Sequence, residues 1–187
     1  MPDTFSLEDQ IRDCFGRVIY THKTHEKMAD RCSATLRRLK LSQIVLSALT
    51  ACGAISIVFV ESFELKLVTA LVSFITLLVS GYMKGFDPGG TAQKHRDAAA
   101  NLWGIRESYL SLLTDLHDRA LSAADAIKQR DALQKKLDAV YRGSPQTTPK
   151  AYAEAQAALK AGNEYSFTPE EIDSFVPTSL KRNQESH

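Results

Sequence analysis

The chain is poor in the residues that break helices and in those that staple small folds. Its 187 residues include nine glycines and six prolines, most of them outside the long periodic segments, which favours helix over strand-and-turn architectures. The three cysteines, Cys14, Cys32 and Cys52, give neither a disulfide framework nor a Cys-x-x-Cys metal or redox pair. They read as small buried hydrophobes in a reducing compartment. A net charge of +1 gives no reason to expect direct nucleic-acid binding. The opening Met-Pro-Asp-Thr-Phe-Ser lacks a basic region followed by an apolar core, so the first hydrophobic block is expected to insert as an internal anchor.

The most informative shortage is local. Mean hydropathy is −0.20 and 24% of residues are charged, the averages of a soluble protein. Yet no charge occurs among the twenty residues from Leu41 to Val60 or the seventeen from Leu67 to Met83. A helix rises ~1.5 Å per residue and a hydrocarbon core is ~30 Å thick, so about 20 residues cross it. The first run fits directly. The second is short, and Lys66 and Lys84 at its ends can extend their amines to the interfaces. Two core helices of a soluble protein would normally show a charged stripe, and neither run has one. The spacing therefore predicts an all-α membrane protein, a two-span hairpin with spans 41–60 and 67–83, joined by a six-residue loop, Glu61 to Lys66. Arg37, Arg38 and Lys40 precede the first span and Lys84, Lys94 and Arg96 follow the second, so both termini are expected in the cytoplasm.

Polar residues in the spans fall on one face each. Gln43, Ser47, Thr50 and Ala54 step by 4, 3 and 4, as do Thr69, Ser73, Thr76 and Ser80. Such faces suit a helix-packing seam, and also a pore lining. The spans hold no acid or base, which argues against a proton relay, a voltage sensor or a charged selectivity ring.

Outside the spans the pattern is helical. An amphipathic helix is expected over 6–40, started by Ser6 and Asp9. Its heptad seam runs Ile11, Phe15, Val18, His22, His25, Ala29, Cys32, Leu36 and Leu39. His22 and His25 are expected to be partly buried or exposed at a loose crossing, because two histidines without a third ligand make a poor metal site. Gly85 to Thr91 reads as a turn, with Thr91 as a cap, because no Gly-Lys-Ser/Thr follows it as in a phosphate loop. Ala98, Leu102, Ile105, Tyr109, Leu112 and Leu116 form the next seam, and Leu113, Ala120, Ala123 and Ile127 continue it on a neighbouring face. Trp103 and Tyr109 are assigned to helix packing. Leu133, Leu137 and Val140 mark a further helix, Lys150 to Ala161 a short Ala-rich one, and Thr168-Pro-Glu-Glu a capped start. Four regions result: 1–40, the hairpin 41–83, helices over 84–161 that form a bundle, and a short turn with a polar tail over 162–187.

Several stretches carry a resemblance to a known family. They are the amphipathic helix and hairpin, Asn101-Leu-Trp-Gly-Ile-Arg-Glu-Ser-Tyr109 through Asp115-Leu, Arg130-Asp-Ala-Leu133 with Leu137 and Tyr141, Ser144-Pro145-Gln-Thr, and Ala151-Tyr152-Ala-Glu-Ala155. Together they resemble the SLATT family, two-transmembrane domains associated with bacterial nucleotide-second-messenger conflict systems. The resemblance implies a membrane effector that oligomerises into a pore or disrupts the inner membrane, with a nucleotide-signalling sensor or enzyme as partner. It supplies no catalytic residue, cofactor or metal. A non-conducting scaffold that anchors such a partner is the alternative. Asp115 with His117, or Glu107 with Tyr109, do not make preformed acid–base pairs, because helical positions two apart diverge, so no enzyme is expected.

Overall fold

The computed structural model describes residues 6–161, 164–165 and 167–177. Its regular structure is helical: α1 (Leu7–Phe59), α2 (Phe63–Phe86), α3 (Pro88–His117), α4 (Ala123–Gly143), α5 (Pro149–Lys160) and α6 (Pro169–Phe175). The expected tail from Lys181 and the expected helix stop at Gly162-Asn163 lie outside the described residues.

Helix α1 starts where Ser6 accepts a hydrogen bond from the Asp9 amide at 3.1 Å and donates to the Asp9 carboxylate at 2.6 Å. It then runs unbroken for 53 residues, roughly 80 Å at ~1.5 Å per residue. The expected boundary between an amphipathic helix and a span at residue 40 is therefore no structural boundary. Neither glycine nor proline stands near it, and a helix keeps its backbone bonded whichever solvent surrounds it. Burial changes along the rod: residues 11–29 carry all its buried positions, while Leu41, Ile44, Leu49, Ile55 and Phe59 are at least half exposed.

The connections are tighter than the sequence suggested. The six-residue loop shrinks to Val60–Ser62, because Ser62 accepts from the Leu65 amide at 3.2 Å and starts α2 at Phe63. The turn expected over Gly85–Thr91 shrinks to Asp87 alone. Asp87 adopts a left-handed φ of 37°, ends α2, and caps α3 by accepting from the Gly90 amide at 2.9 Å; Thr91 lies inside α3 and is not the cap. Aspartate tolerates that conformation better than most side chains, and Pro88 follows it at the first helical position. Gly89 and Gly90 serve close approach instead. A Cβ on Gly90 would meet the Asp87 carboxylate oxygen at 2.1 Å.

Helix α3 does not continue past His117 as the Ala120–Ile127 pattern suggested. Arg119 is left-handed (φ 54°), its amide donates to the Leu116 carbonyl, and the Ala120 amide donates to the Asp115 carbonyl at 2.9 Å. That is a Schellman stop. Ser122 then caps α4, which folds back and buries Ala126 and Leu133, leaving Ala123 and Ile127 exposed. Ile11, Cys14 and Val18 of α1, Leu102, Ile105, Tyr109 and Leu112 of α3, and those two residues of α4 form the bundle core. Helix α5 lies on α1, with Tyr152 against Tyr20 at 5.9 Å and Arg31 paired to Glu154 at 2.7 Å. Thr168 and Glu171 complete a capping box at α6.

At the other end α1 and α2 form an antiparallel hairpin. Half-buried Gln43, Leu46, Thr50, Gly53 and Ile57 on α1, and Leu65, Thr69, Val72, Thr76, Val79 and Met83 on α2, form its seam at steps of 3 and 4, with Ser56 and Ser80 half-buried beside them. Gln43 donates to the Ser80 hydroxyl at 3.0 Å near one end. Gly53 faces Thr69, where a Cβ would lie 2.4 Å from Oγ1 and 3.2 Å from Thr69 Cβ. This close approach makes a prediction. Gly53→Ala should destabilise the detergent-solubilised hairpin by about 1–3 kcal/mol, and Gly53→Ala with Thr69→Ala, which removes the two closest atoms and leaves the Cβ at 3.2 Å, should recover part of that. Thermal unfolding checks both; an unrescued double variant would mean the contact does not set the helix separation.

Candidate functional site

Two regions carry polar groups where apolar ones would pack more simply. The first is the hairpin. Of the two sequence-predicted faces, Gln43, Thr50, Thr69, Thr76 and Ser80 are half-buried in the α1–α2 seam, whereas Ser47, Ala54 and Ser73 are exposed beside it. The threonines answer their own hydrogen-bonding needs. Thr50 donates to the Leu46 carbonyl at 2.9 Å, Thr69 to Leu65 at 2.8 Å and Thr76 to Val72 at 2.8 Å, while Ser80 bonds Thr76 at 2.8 Å. A hydroxyl so bonded can sit in hydrocarbon without a partner helix.

Helical geometry adds a relation the sequence pattern did not show. At 100° per residue, Ser47 and Ala54 flank the α1 seam on one side, and Ser73 flanks the α2 seam. Because the helices are antiparallel, those two flanks point the same way. One broad face of the hairpin is thus lined by Ser47, Ala51, Ala54 and Ser73, with the larger Val58 and Leu77 also exposed on it. The opposite face carries Leu49, Val68, Ile75 and Phe86. The cations Arg37, Arg38 and Lys40 lie at the start of the first span, Lys66 at the turn end and Lys84 at the end of α2. Arg37, Arg38, Lys40, Lys66 and Lys84 are all exposed.

The second region is the α1–α3 crossing outside the spans. His22 and His25 are buried there, at 3% and 2% exposure, rather than at a loose or half-open crossing. The reason is a third histidine. His95 of α3, 1% exposed, meets His25 ring to ring, with Nδ1 atoms 2.9 Å apart. Extending the α3 seam back from Ala98 by three reaches His95, so the pattern held this signal. Burial lowers all three histidines, and with the neighbouring rings it brings His25 down to about 4. The pair's bond needs one ring with a bare Nδ1, so the rings cannot both be charged and stay bonded. Among the described residues no group of three His, Cys, Asp or Glu side chains is placed to hold a metal.

Beside this pair Tyr165 packs on His22, with ring centroids 5.6 Å apart, and donates to Glu26 at 2.5 Å. Arg106 lies between two rings, 4.0 Å from Trp103 and 4.6 Å from Tyr165. Glu164 adds a carboxylate that pairs with Lys23, which Glu26 also holds at 2.8 Å. Burial works against the Lys23 charge, but those two carboxylates keep its pKa above the ordinary lysine value. Burial and the bond to Glu26 push the Tyr165 phenol up to about 12. No periodicity announced this cluster, because Glu164 and Tyr165 lie outside any helix.

The lowered histidines fix the sign of a pH effect. The unfolded chain binds protons near the ordinary histidine value while the folded one does not, so stability falls as pH drops from about 6.5 toward about 4. Between about pH 7.5 and about pH 5 the bundle should lose on the order of 1–2 kcal/mol. His25→Gln with His95→Gln should flatten that slope in thermal unfolding. An unchanged slope would clear the pair of responsibility.

The comparisons with known proteins bear on the whole chain. No curated protein and no solved structure matches it. The model of the SMODS and SLOG-associating 2TM effector domain, family 4, matches residues 7–171, from the start of α1 into α6. The two apolar helices, each long enough to cross a bilayer, agree with the two transmembrane segments in that description. The chain is therefore a membrane protein that belongs to the SMODS and SLOG-associating two-transmembrane effector domain family.

Proposed function

We propose that this chain is a non-enzymatic membrane effector of a bacterial conflict system. On a cytoplasmic signal its hairpins associate in the inner membrane and open a leak. The single observation that carries the reading is the hairpin's run of small and hydroxyl-bearing residues, Ser47, Ala51, Ala54 and Ser73, which the described residues leave uncovered. Small residues let transmembrane helices approach closely, so a second copy is a suitable cover. The exposed Ser47 and Ser73 hydroxyls give such an assembly a polar seam. Family membership supports the effector role and a SMODS or SLOG protein as the source of the signal. The bundle, with its α1–α3 crossing and charged surface, is the part such a partner can reach. A scaffold that anchors the partner without conducting is the second reading, favoured by the hydroxyls of Thr50, Thr69 and Thr76, which are already satisfied within their own helices.

In this proposal the bundle and both termini are cytoplasmic and Val60–Ser62 faces outward. Ser62→Cys should label from outside intact cells; labelling only after the inner face is opened would reverse the orientation. Induced expression with the partner active should collapse a membrane-potential dye signal. Ser47→Leu with Ser73→Leu should abolish the collapse while insertion persists, because neither residue lies in the α1–α2 seam. Cells that stay polarised with abundant inserted protein and an active partner would rule out the leak and leave the scaffold.

A further inference from the structure

A groove of about 470 Å³ lies where α1 enters the span beside the start of α3. Its polar end holds Arg37, Lys40 and Arg96, and its apolar end holds Leu41 and Ile44, with buried Ala92 as part of the wall. We infer that this groove binds the headgroup of an anionic phospholipid, with the start of an acyl chain along Leu41 and Ile44.

Charge is the first argument. Several cations of the bundle pair with carboxylates, Arg31 with Glu154, Arg106 with Glu107 and Arg130 with Asp131, each at 2.7 Å, while others, such as Lys94 and Lys136, stand singly among the described residues. Among the described residues Arg37, Lys40 and Arg96 have no such partner. Arg96 spends one donor on the Ser33 hydroxyl at 2.6 Å, which orients its guanidinium and leaves its remaining donors unmatched by any anion. Three cations around one cavity, without an acid in its lining, complement a phosphate diester.

Depth is the second argument. The cations occupy the end toward the bundle, and Leu41 and Ile44 begin the uncharged run one turn further on. A polar head over an apolar flank, at the level where a helix enters hydrocarbon, is the arrangement of a lipid and not of a free anion. The groove also needs two helices. Arg96 and Ala92 come from α3, and α1 and α3 are in close contact here: a Cβ on Gly89 would lie 3.3 Å from Leu36. A bound lipid would therefore bridge α1 and α3 at the membrane surface.

This inference rests on insertion of the hairpin and not on any leak, and its test reads binding alone. The full-length protein in detergent is offered phosphatidylglycerol and phosphatidylcholine, and retained lipid is measured by native mass spectrometry. Phosphatidylglycerol should be retained preferentially. The variant Arg37→Gln/Lys40→Gln/Arg96→Gln should weaken that retention by about a hundredfold, given about fivefold per cation. A charge-matched control, Arg38→Gln/Lys84→Gln/Lys94→Gln, removes three nearby cations outside the groove and should keep most of it. Ile44→Trp leaves every charge in place, fills the apolar end, and should also weaken retention. The inference is overturned if the two triple variants lose retention equally, if phosphatidylglycerol shows no preference, if inorganic phosphate displaces the lipid, or if Ile44→Trp binds like the parent. Circular dichroism identifies a variant that has lost its helices, and the Ile44→Trp arm decides should the groove triple be one.

Discussion

Hydrocarbon offers a backbone amide no partner, so the middle of this chain has to carry its hydrogen bonds with it. Everything else in the architecture adjusts to that demand. The spans are helices from end to end, the link between them is three residues, and the threonine hydroxyls of the seam bond to carbonyls of their own helix. Helix α1 obeys the same rule on both sides of the boundary and does not break where its solvent changes. What changes is only which side chains are covered, from the buried seam of Ile11 to Ala29 to the exposed leucines and isoleucines of the span.

Close packing in the hairpin comes from absence of bulk, with Gly53 under Thr69. In the bundle it comes from an apolar core at the far end and a polar cluster nearer the membrane. The bundle is thus held by two different kinds of contact along one crossing. Apolar burial is largely indifferent to pH, whereas the His25–His95 pair needs at least one uncharged ring. The cluster around Tyr165 ties the segment after α5 to α1 and α3 through a hydroxyl, a carboxylate and a stacked guanidinium. Drawing that segment away would take the Tyr165 ring off the buried His22 and off one side of Arg106.

Much of the fold was legible because long helices repeat their instructions. The uncharged runs marked the spans, the seam from Ala98 to Leu112 marked the face α3 buries, and Thr168 with Glu171 marked a cap that is present. Boundaries were less legible, since a single side chain decides them. Asp87 replaces a seven-residue turn because it tolerates a left-handed backbone and caps at once. Arg119 stops α3 although no glycine advertises the stop. The hairpin faces were half legible. Spacing grouped Ser47 with Thr50, and Ser73 with Thr76, but only the position of the partner helix shows that Thr50 and Thr76 face the seam while Ser47 and Ser73 face out. The α3 seam, carried back one step from Ala98, places His95 on the buried face, but that it meets His25 across 70 residues, and that Tyr165 meets His22, no local pattern encodes.

The two strands of chain that leave the hairpin toward the bundle differ mechanically. One is the uninterrupted rod of α1; the other passes through the single left-handed joint at Asp87. Val18 in the bundle and Gly53 in the hairpin therefore share one continuous helix, while α2 meets α3 only through Asp87. The water-facing and lipid-facing halves thus share one stiff member and one jointed member, so any turn or shift of α1 in the bundle is also a turn or shift of α1 in the hairpin.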